Sequence, residues 1–328
     1  MDRIASWSDT DRADLVRETA AVKNMAPAVV EKDFWVCWVL DKLFGSDPMG
    51  RKILFKGGTS LSKVFGLIER FSEDIDLILD WDEVSTEDPM AARSVSKQDA
   101  FNKKLLCDTH DYLGRIFLPE VEVLIGGTCR AAIEENPEVV KIGYPAAFSS
   151  DYLRPEIQLE VGCLASWVPN EEYEITPYAA EALPQAFERS AVRVRAIKAE
   201  RTFWEKVTIL HHEAHRPQGR LQPKGYSRHY YDVCRMSQSP VKGAAFLDLE
   251  LLRNVVAFKD KFYHRGWAQY DLAVPGSMRL VPPEYVRRAL ESDYAEMRFM
   301  IYGDVPAFSD LMESIQQPEV EINQLPKP

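Results

Sequence analysis

Two aspartates, Asp74 and Asp76, stand two residues apart in Arg70-Phe71-Ser72-Glu73-Asp74-Ile75-Asp76-Leu77-Ile78-Leu79. The alternation predicts a β-strand with both carboxylates on one face and Ile75, Leu77 and Leu79 on the other. Residues so spaced lie roughly 7 Å apart at Cα. Carboxylates converging there can hold divalent cations for in-line displacement at phosphorus, and without a cation they repel each other. Asp-x-Asp alone fits a solvated strand face equally well. The stretch before it tips the reading: Ile53-Leu54-Phe55-Lys56-Gly57-Gly58-Thr59-Ser60-Leu61-Ser62-Lys63 reads as strand, turn and helix. Gly57 and Gly58 allow a sharp turn and close approach to a ligand. Thr59 or Ser60 can cap the helix, leaving backbone N–H groups to face a phosphate.

These residues carry a resemblance. Gly57-Gly58-Thr59-Ser60 followed by Arg70-x-Ser72-x-Asp74-x-Asp76 resembles the nucleotidyltransferase superfamily that includes DNA polymerase β. It is more closely similar to the AbiEii/AbiGii toxin family of bacterial abortive-infection and toxin–antitoxin systems, which includes the MenT toxins of mycobacteria. The likeness runs over residues 28–312, specific between Gly57 and Asp76 and looser beyond. It implies an α/β (α+β) fold: a polymerase-β-like nucleotidyltransferase lobe with a mixed sheet, then a mostly helical lobe, with the site in the cleft between them. The implied activity is transfer of NMP from an NTP to an RNA acceptor, the tRNA 3′ end, which would block translation. Asp74 and Asp76 would hold Mg²⁺ or Mn²⁺. Lys56, Gly57, Gly58, Thr59, Ser60, Lys63, Arg70 and Ser72 form the implied nucleotide-binding set. A cognate antitoxin is the implied partner, and Ser72 corresponds to a serine that an antitoxin kinase phosphorylates in MenT-like relatives.

Further motifs follow this frame. Pro155 to Gly162 alternates, with Ile157, Leu159 and Val161 on one face and Glu156, Gln158 and Glu160 on the other. Superfamily members place a third carboxylate on a neighbouring strand; Glu160 is the choice here, as base or metal ligand, with Glu156 equally placed by parity. Lys198 to Leu210 predicts a helix with Phe203, Val207 and Leu210 buried. Its Lys206 is able to hold a triphosphate as a point charge, and family members carry a lysine in a similar helix; the plain alternative is a solvated neighbour of Glu205. Arg228-x-x-Tyr231-Asp232-Val233 resembles the last family motif, which makes Asp232 a site residue partnered by a cation or by Lys206, or else by Arg228 in a simple salt bridge. Glu31-Lys32-Asp33-Phe34-Trp35 also resembles the family's N-terminal segment. Lys32 is a candidate for lining the site, against a helix start with acids near the positive end of its dipole.

His211-His212-Glu213-Ala214-His215 places two histidines four apart, a metal-ligand spacing, but the His-Glu-x-x-His pattern fails because Arg216 stands where the second histidine is required. A polar helix end is the simpler reading. Val121 to Ile125 and Lys141 to Tyr144 read as strands, Gln98 to Ile116 as a helix, and the proline-dotted Trp167 to Pro184 as a linker.

The 328 residues suit two lobes, assigned as 1–184 and 185–318 with a disordered tail at 319–328. No apolar run approaches about 18 residues, and the N-terminus is not a basic-then-apolar leader. Five scattered cysteines argue for reduced thiols. The expectation is a cytoplasmic protein without a membrane partner. The net charge of −11 excludes a surface that is basic throughout, but residues 191–230 hold nine basic residues against three glutamates. Within them Arg201, Arg216, Arg220, Lys224 and Arg228 form a candidate RNA-binding patch. Two other classes remain compatible: a phosphotransferase acting on protein or a small molecule, marked by transfer of the γ- rather than α-phosphate, and a non-catalytic partner-binding module, marked by no NTP binding.

Overall fold

The computed structural model describes residues 1–72, 74–150 and 153–326. They divide into two compact units, one of residues 1–64 and 71–197, the other of residues 65–70 and 198–326. The first unit therefore extends past residue 184, and Arg70 groups with the second.

The first unit is a mixed α+β body. In chain order its elements are α1 (Asp2–Ala5), α2 (Asp9–Lys23), α3 (Pro27–Phe44), α4 (Met49–Lys52), β1 (Ile53–Lys56), α5 (Gly57–Lys63), β2 (Asp74–Leu79), α6 (Val95–Tyr112), α7 (Leu118–Ile125), β3 (Arg130–Ile133), β4 (Val139–Gly143), β5 (Glu156–Gly162), β6 (Asn170–Ile175), α8 (Tyr178–Ala182) and β7 (Val192–Ile197). The strands form one sheet in the order β3-β4-β5-β2-β1-β7-β6. β2 runs antiparallel to β1 and parallel to β5, and β7 is parallel to β1.

The period-two pattern gives the sheet two unlike faces. Phe55, Ile75, Leu77, Leu79, Ile157, Leu159 and Val161 enter the main core. Val30 to Leu40 of α3 are buried without interruption, and Phe34 through Leu40 join that core; a helix enclosed on every side needs no polar stripe. On the other face, Leu54, Ile78 and Ile197 form a small cluster with Ala165 and Trp167. Asp74 and Asp76 share that second face by parity with Ile78.

Three expectations are corrected here. Residues 121–125 are helical, in α7: Pro119 sits in its first turn, Gly126 closes it at φ 55°, and Val121 and Ile125 are buried at i, i+4 while Val123 is exposed. Its Val-Glu-Val mimics alternation only locally. Residues 167–184 are not a linker, because their prolines flank elements instead of breaking them. Pro169 precedes β6, which pairs antiparallel with β7, and Pro177 precedes α8. Finally, α3 starts at Pro27, so Glu31-Lys32-Asp33 lies a turn inside the helix and is buried.

The second unit is helical: α9 (Ala199–Ala214), α10 (Ser227–Ser237), α11 (Pro240–Leu247), α12 (Leu249–Phe262), α13 (Glu284–Met297) and α14 (Phe308–Gln324). Phe203, Trp204, Val207, Leu210, Tyr230, Tyr231, Leu290, Leu311 and Ile315 are fully enclosed. The expected tail is corrected through residue 324. α14 buries Ile322, Glu319 accepts the Val281 N–H at 2.9 Å, and Asn323 bonds Met278 through both main-chain groups. Leu311, Ile315, Pro318 and Ile322 supply the helical period that holds it. Lys327 and Pro328 lie outside the described residues.

Candidate active site

In the first unit the pairing register arranges the carboxylates. Asp76 lies opposite Lys56 of β1 and beside Glu160 of β5, while Asp74 neighbours Gln158. Strands in register put such neighbours on one face about 4.8 Å apart. Lys56, Asp76 and Glu160 thus form a row across three strands. Glu156, equal to Glu160 by parity, pairs with Gly143 of β4, and its neighbour position on the other side precedes the start of β2. Register sets Glu160, not Glu156, beside Asp76; parity alone does not.

The glycine turn is built around Asp76. Gly57 has φ 79°, and a Cβ placed on it would lie 1.8 Å from Asp76 Oδ2. The absent side chain is the space the carboxylate occupies. Lys56 is the N-cap of α5, without a side-chain cap bond, so neither Thr59 nor Ser60 caps this helix. Their buried hydroxyls donate to the Asp74 and Gly57 carbonyls instead. Both hydroxyls fasten the backbone of the turn and of β2.

Lys63 is engaged within the first unit. Its ammonium, 6% exposed, meets Asp33 at 2.7 Å, donates to the Thr176 carbonyl at 2.9 Å and lies 4.0 Å from the Tyr178 ring centre. Burial opposes its charge, but Asp33 outweighs that and raises the lysine above its ordinary range. Asp33 also accepts the Tyr178 N–H at 2.7 Å, and Glu31 accepts those of Ala147 and Phe148. Glu31 and Asp33 therefore tie α3 to distant loops and to α5. Lys32 is buried, 5.5 Å from the Phe71 ring centre. Ser72, partly exposed, precedes β2.

In the second unit, Asp232 on α10 is completely enclosed and takes two bonds from Arg70, Nε at 2.7 Å and Nη2 at 2.8 Å. Lys206 on α9 approaches it at 2.7 Å. Burial pulls the carboxyl pKa up, but Arg70 and Lys206 outweigh it and hold the group well below the usual range. Burial, then Arg70, draws the Lys206 ammonium below its ordinary range against the pull of Asp232. Two buried cations share one carboxylate, and exposed Arg228 adds a third. Such a cluster of cationic side chains is able to meet a phosphate group. His229, one turn before Asp232, escaped the sequence reading; its i−3 spacing was the available signal. Its Nδ1 is buried without a hydrogen-bond partner among the described residues, and burial with Lys206 and Arg228 keeps the ring neutral.

The five candidate RNA-binding residues lie in unlike surroundings. Arg201 is enclosed and bonded to Glu205 at 2.9 Å, and Arg216 is enclosed and doubly bonded to Glu213 at 2.6 Å. Lys224 pairs with Glu296, while Arg220 and Arg228 are exposed. The histidine run is internal scaffold. His211 Nε2 faces the Gln269 carbonyl at 2.9 Å, its Nδ1 accepts the Arg279 N–H at 3.1 Å, and His215 bonds the His211 carbonyl.

The donor set on β2 and β5 is carboxylate oxygen, the type Mg²⁺ and Mn²⁺ take. Among the described residues no three His, Cys, Asp or Glu side chains form a ready-made metal cluster. Mg²⁺ commonly uses one or two carboxylates, with waters and substrate phosphates completing its shell. Two carboxylates on one face beside a glycine turn fit that requirement. No described helix is long and apolar enough to cross a membrane.

No curated protein sequence matches the chain. Among solved structures it is similar to MenT4, a nucleotidyltransferase toxin from Mycobacterium tuberculosis H37Rv, at 14% identity and a TM-score of 0.44, over 96% of this chain and 97% of that one. A family model described as nucleotidyl transferase AbiEii toxin, type IV toxin–antitoxin system, matches residues 38–315. The chain belongs to the AbiEii nucleotidyltransferase toxin family.

Proposed function

We propose that the protein transfers a nucleoside monophosphate from an NTP to the 3′ hydroxyl of an RNA, with the tRNA 3′ end as acceptor, and so arrests translation in a cytoplasmic toxin–antitoxin system with a cognate antitoxin. The observation that carries the reading is the row Lys56–Asp76–Glu160 with Asp76 seated against the bare Cα of Gly57.

Asp74 and Asp76 would hold Mg²⁺ or Mn²⁺, which when bound supplies Lewis-acid polarisation of the phosphoryl oxygens. The first-turn N–H groups at Gly57, Gly58 and Thr59 and the Lys56 ammonium receive the phosphates. Within the second unit Asp232 fixes two cations, Lys206 and Arg70, that are able to meet a phosphate. Glu160 takes the proton of the attacking hydroxyl. The O3′–Pα bond forms, the bond from Pα to the β-phosphate bridging oxygen breaks, and pyrophosphate leaves. Equilibrium dialysis of labelled NTPs with Mg²⁺ tests the binding half. Wild type should bind at least one NTP, and Asp76→Asn should weaken it tenfold or more. Equal binding by the two proteins would remove Asp76 from the site.

A further inference from the structure

Trp267 lies between α12 and the 3₁₀ turn at Tyr270–Leu272. Three guanidinium groups surround its ring: Arg216 at 4.8 Å, Arg220 at 5.7 Å and Arg265 at 5.8 Å from the ring centre. Arg216 is locked against buried Glu213, which Gln222 and His212 also bond. The His212 ring meets the indole edge-on at 5.6 Å. The indole is therefore fixed from beneath while remaining partly exposed. Arg220 and Arg265 are exposed and make no ion pair among the described residues. Of the nearby acids, Glu213 is bonded to Arg216 and Asp260 to His264 at 2.8 Å, and exposed Asp271 stands in the adjoining 3₁₀ turn. Tyr263 and Leu221 add exposed apolar surface beside the same segments.

A held aromatic face flanked by uncompensated guanidinium groups, on a chain of net charge −11, matches one ligand chemistry well. Bases stack on the ring and phosphates meet the cations. We infer that Trp267, Arg220 and Arg265 form a stacking platform for a single-stranded segment of the RNA acceptor. The inference rests on the RNA acceptor proposed above and replaces Arg201 and Arg216 as the RNA contacts. The platform adjoins the C-terminal end of α9, and from Lys206 to Glu213 that helix rises roughly 10 Å. A few nucleotides bridge that length.

The test is binding of short fluorescein-labelled single-stranded RNA and of total tRNA across about 50 to about 200 mM salt. Proteins compared are wild type, Trp267→Ala, Trp267→Phe and the surface double variant Arg220→Glu/Arg265→Glu, with Mg²⁺–NTP binding as the folding control. The double variant should keep NTP binding, lose RNA affinity at least tenfold and lower the salt slope by about 1.4, at about 0.7 per lost phosphate contact. Trp267→Ala should weaken binding about tenfold, and Trp267→Phe should recover most of it. Unchanged RNA affinity and salt slope in the double variant would overturn the platform while leaving the RNA acceptor standing. A wild type that binds no RNA would overturn both. Loss of a co-purified protein partner with RNA binding intact would assign the surface to protein and overturn the inference.

Discussion

Replacing Gly57 by alanine probes the seating of Asp76 directly. The added Cβ would lie 1.8 Å from Asp76 Oδ2, and real Cβ contacts essentially never fall below 3.0 Å, so the oxygen must retreat by more than an ångström. Misplacement by about 1 Å costs about 10²-fold in a positioned site. The backbone at φ 79° adds a separate cost of about 1–2 kcal/mol for any residue with a Cβ. Gly126→Ala separates the two effects. Gly126 also has positive φ, 55°, with nothing within 4 Å of its built Cβ. Both variants should lower the melting temperature by a few degrees, at about 2–4 °C per kcal/mol for a chain of this size class. Nucleotide transfer by Gly126→Ala should stay within twofold of wild type, whereas that of Gly57→Ala should fall about 100-fold or more. Equal activities in the two variants would refute the argument that the glycine exists to seat the carboxylate.

Three further outcomes follow from the geometry. Lys63→Met strands buried Asp33 and should cost about 3–5 kcal/mol in chemical unfolding, while NTP affinity of the folded fraction holds; selective loss of NTP affinity would restore Lys63 to the nucleotide site. Acid should destabilise the second unit in two stages. His211, pushed down to about 4 by burial, is held neutral and its contribution is lost as pH falls from 6.5 to about 4, on the order of 3 kcal/mol. Glu213, which burial raises but Arg216 and His212 bring down to about 2, loses its contribution below 4.5. Melting temperature against pH should steepen below 6.5, and His211→Gln should reduce the first stage, to which His212 and His229, also lowered by burial, contribute the rest; an unchanged slope would contradict the assignment. Phosphate on Ser72 adds about −1.5 to −2 charges two residues before Asp74. Ser72→Asp should abolish NTP binding and Ser72→Ala keep it; an unmodified Ser72, by intact mass, in a protein silenced by its antitoxin would discard this route.

The Asp-x-Asp strand and glycine turn were legible because period-two alternation and paired glycines are local signals. Parity left Glu160 and Glu156 equal; that Glu160 is the one beside Asp76 is set by the β2–β5 register, which no single strand encodes. Lys56 and Lys63 look alike in the sequence; only the position of Asp33 on α3 shows that Lys63 is spent inside the unit. The Arg70–Asp232 pair joins residues 162 apart, beyond any local pattern. α7 was misread because Val-Glu-Val satisfies a strand over three residues, while its Pro119 and Gly126 mark a helix. Arg201 and Arg216 counted as surface charge in a linear tally, yet their carboxylate partners at i+4 and i−3 bury them.

The central claim is that Asp74 and Asp76 serve transfer of the α-phosphoryl nucleotide to RNA. It is tested most directly by one reaction set: each α-³²P NTP, and in parallel its γ-³²P counterpart, with Mg²⁺ and total tRNA, for wild type and Asp76→Ala. The account predicts α-label on tRNA with at least one nucleotide, no γ-label on any macromolecule, and loss of the α-label in the variant. Label from the γ-phosphate, or α-label that survives Asp76→Ala, would contradict it.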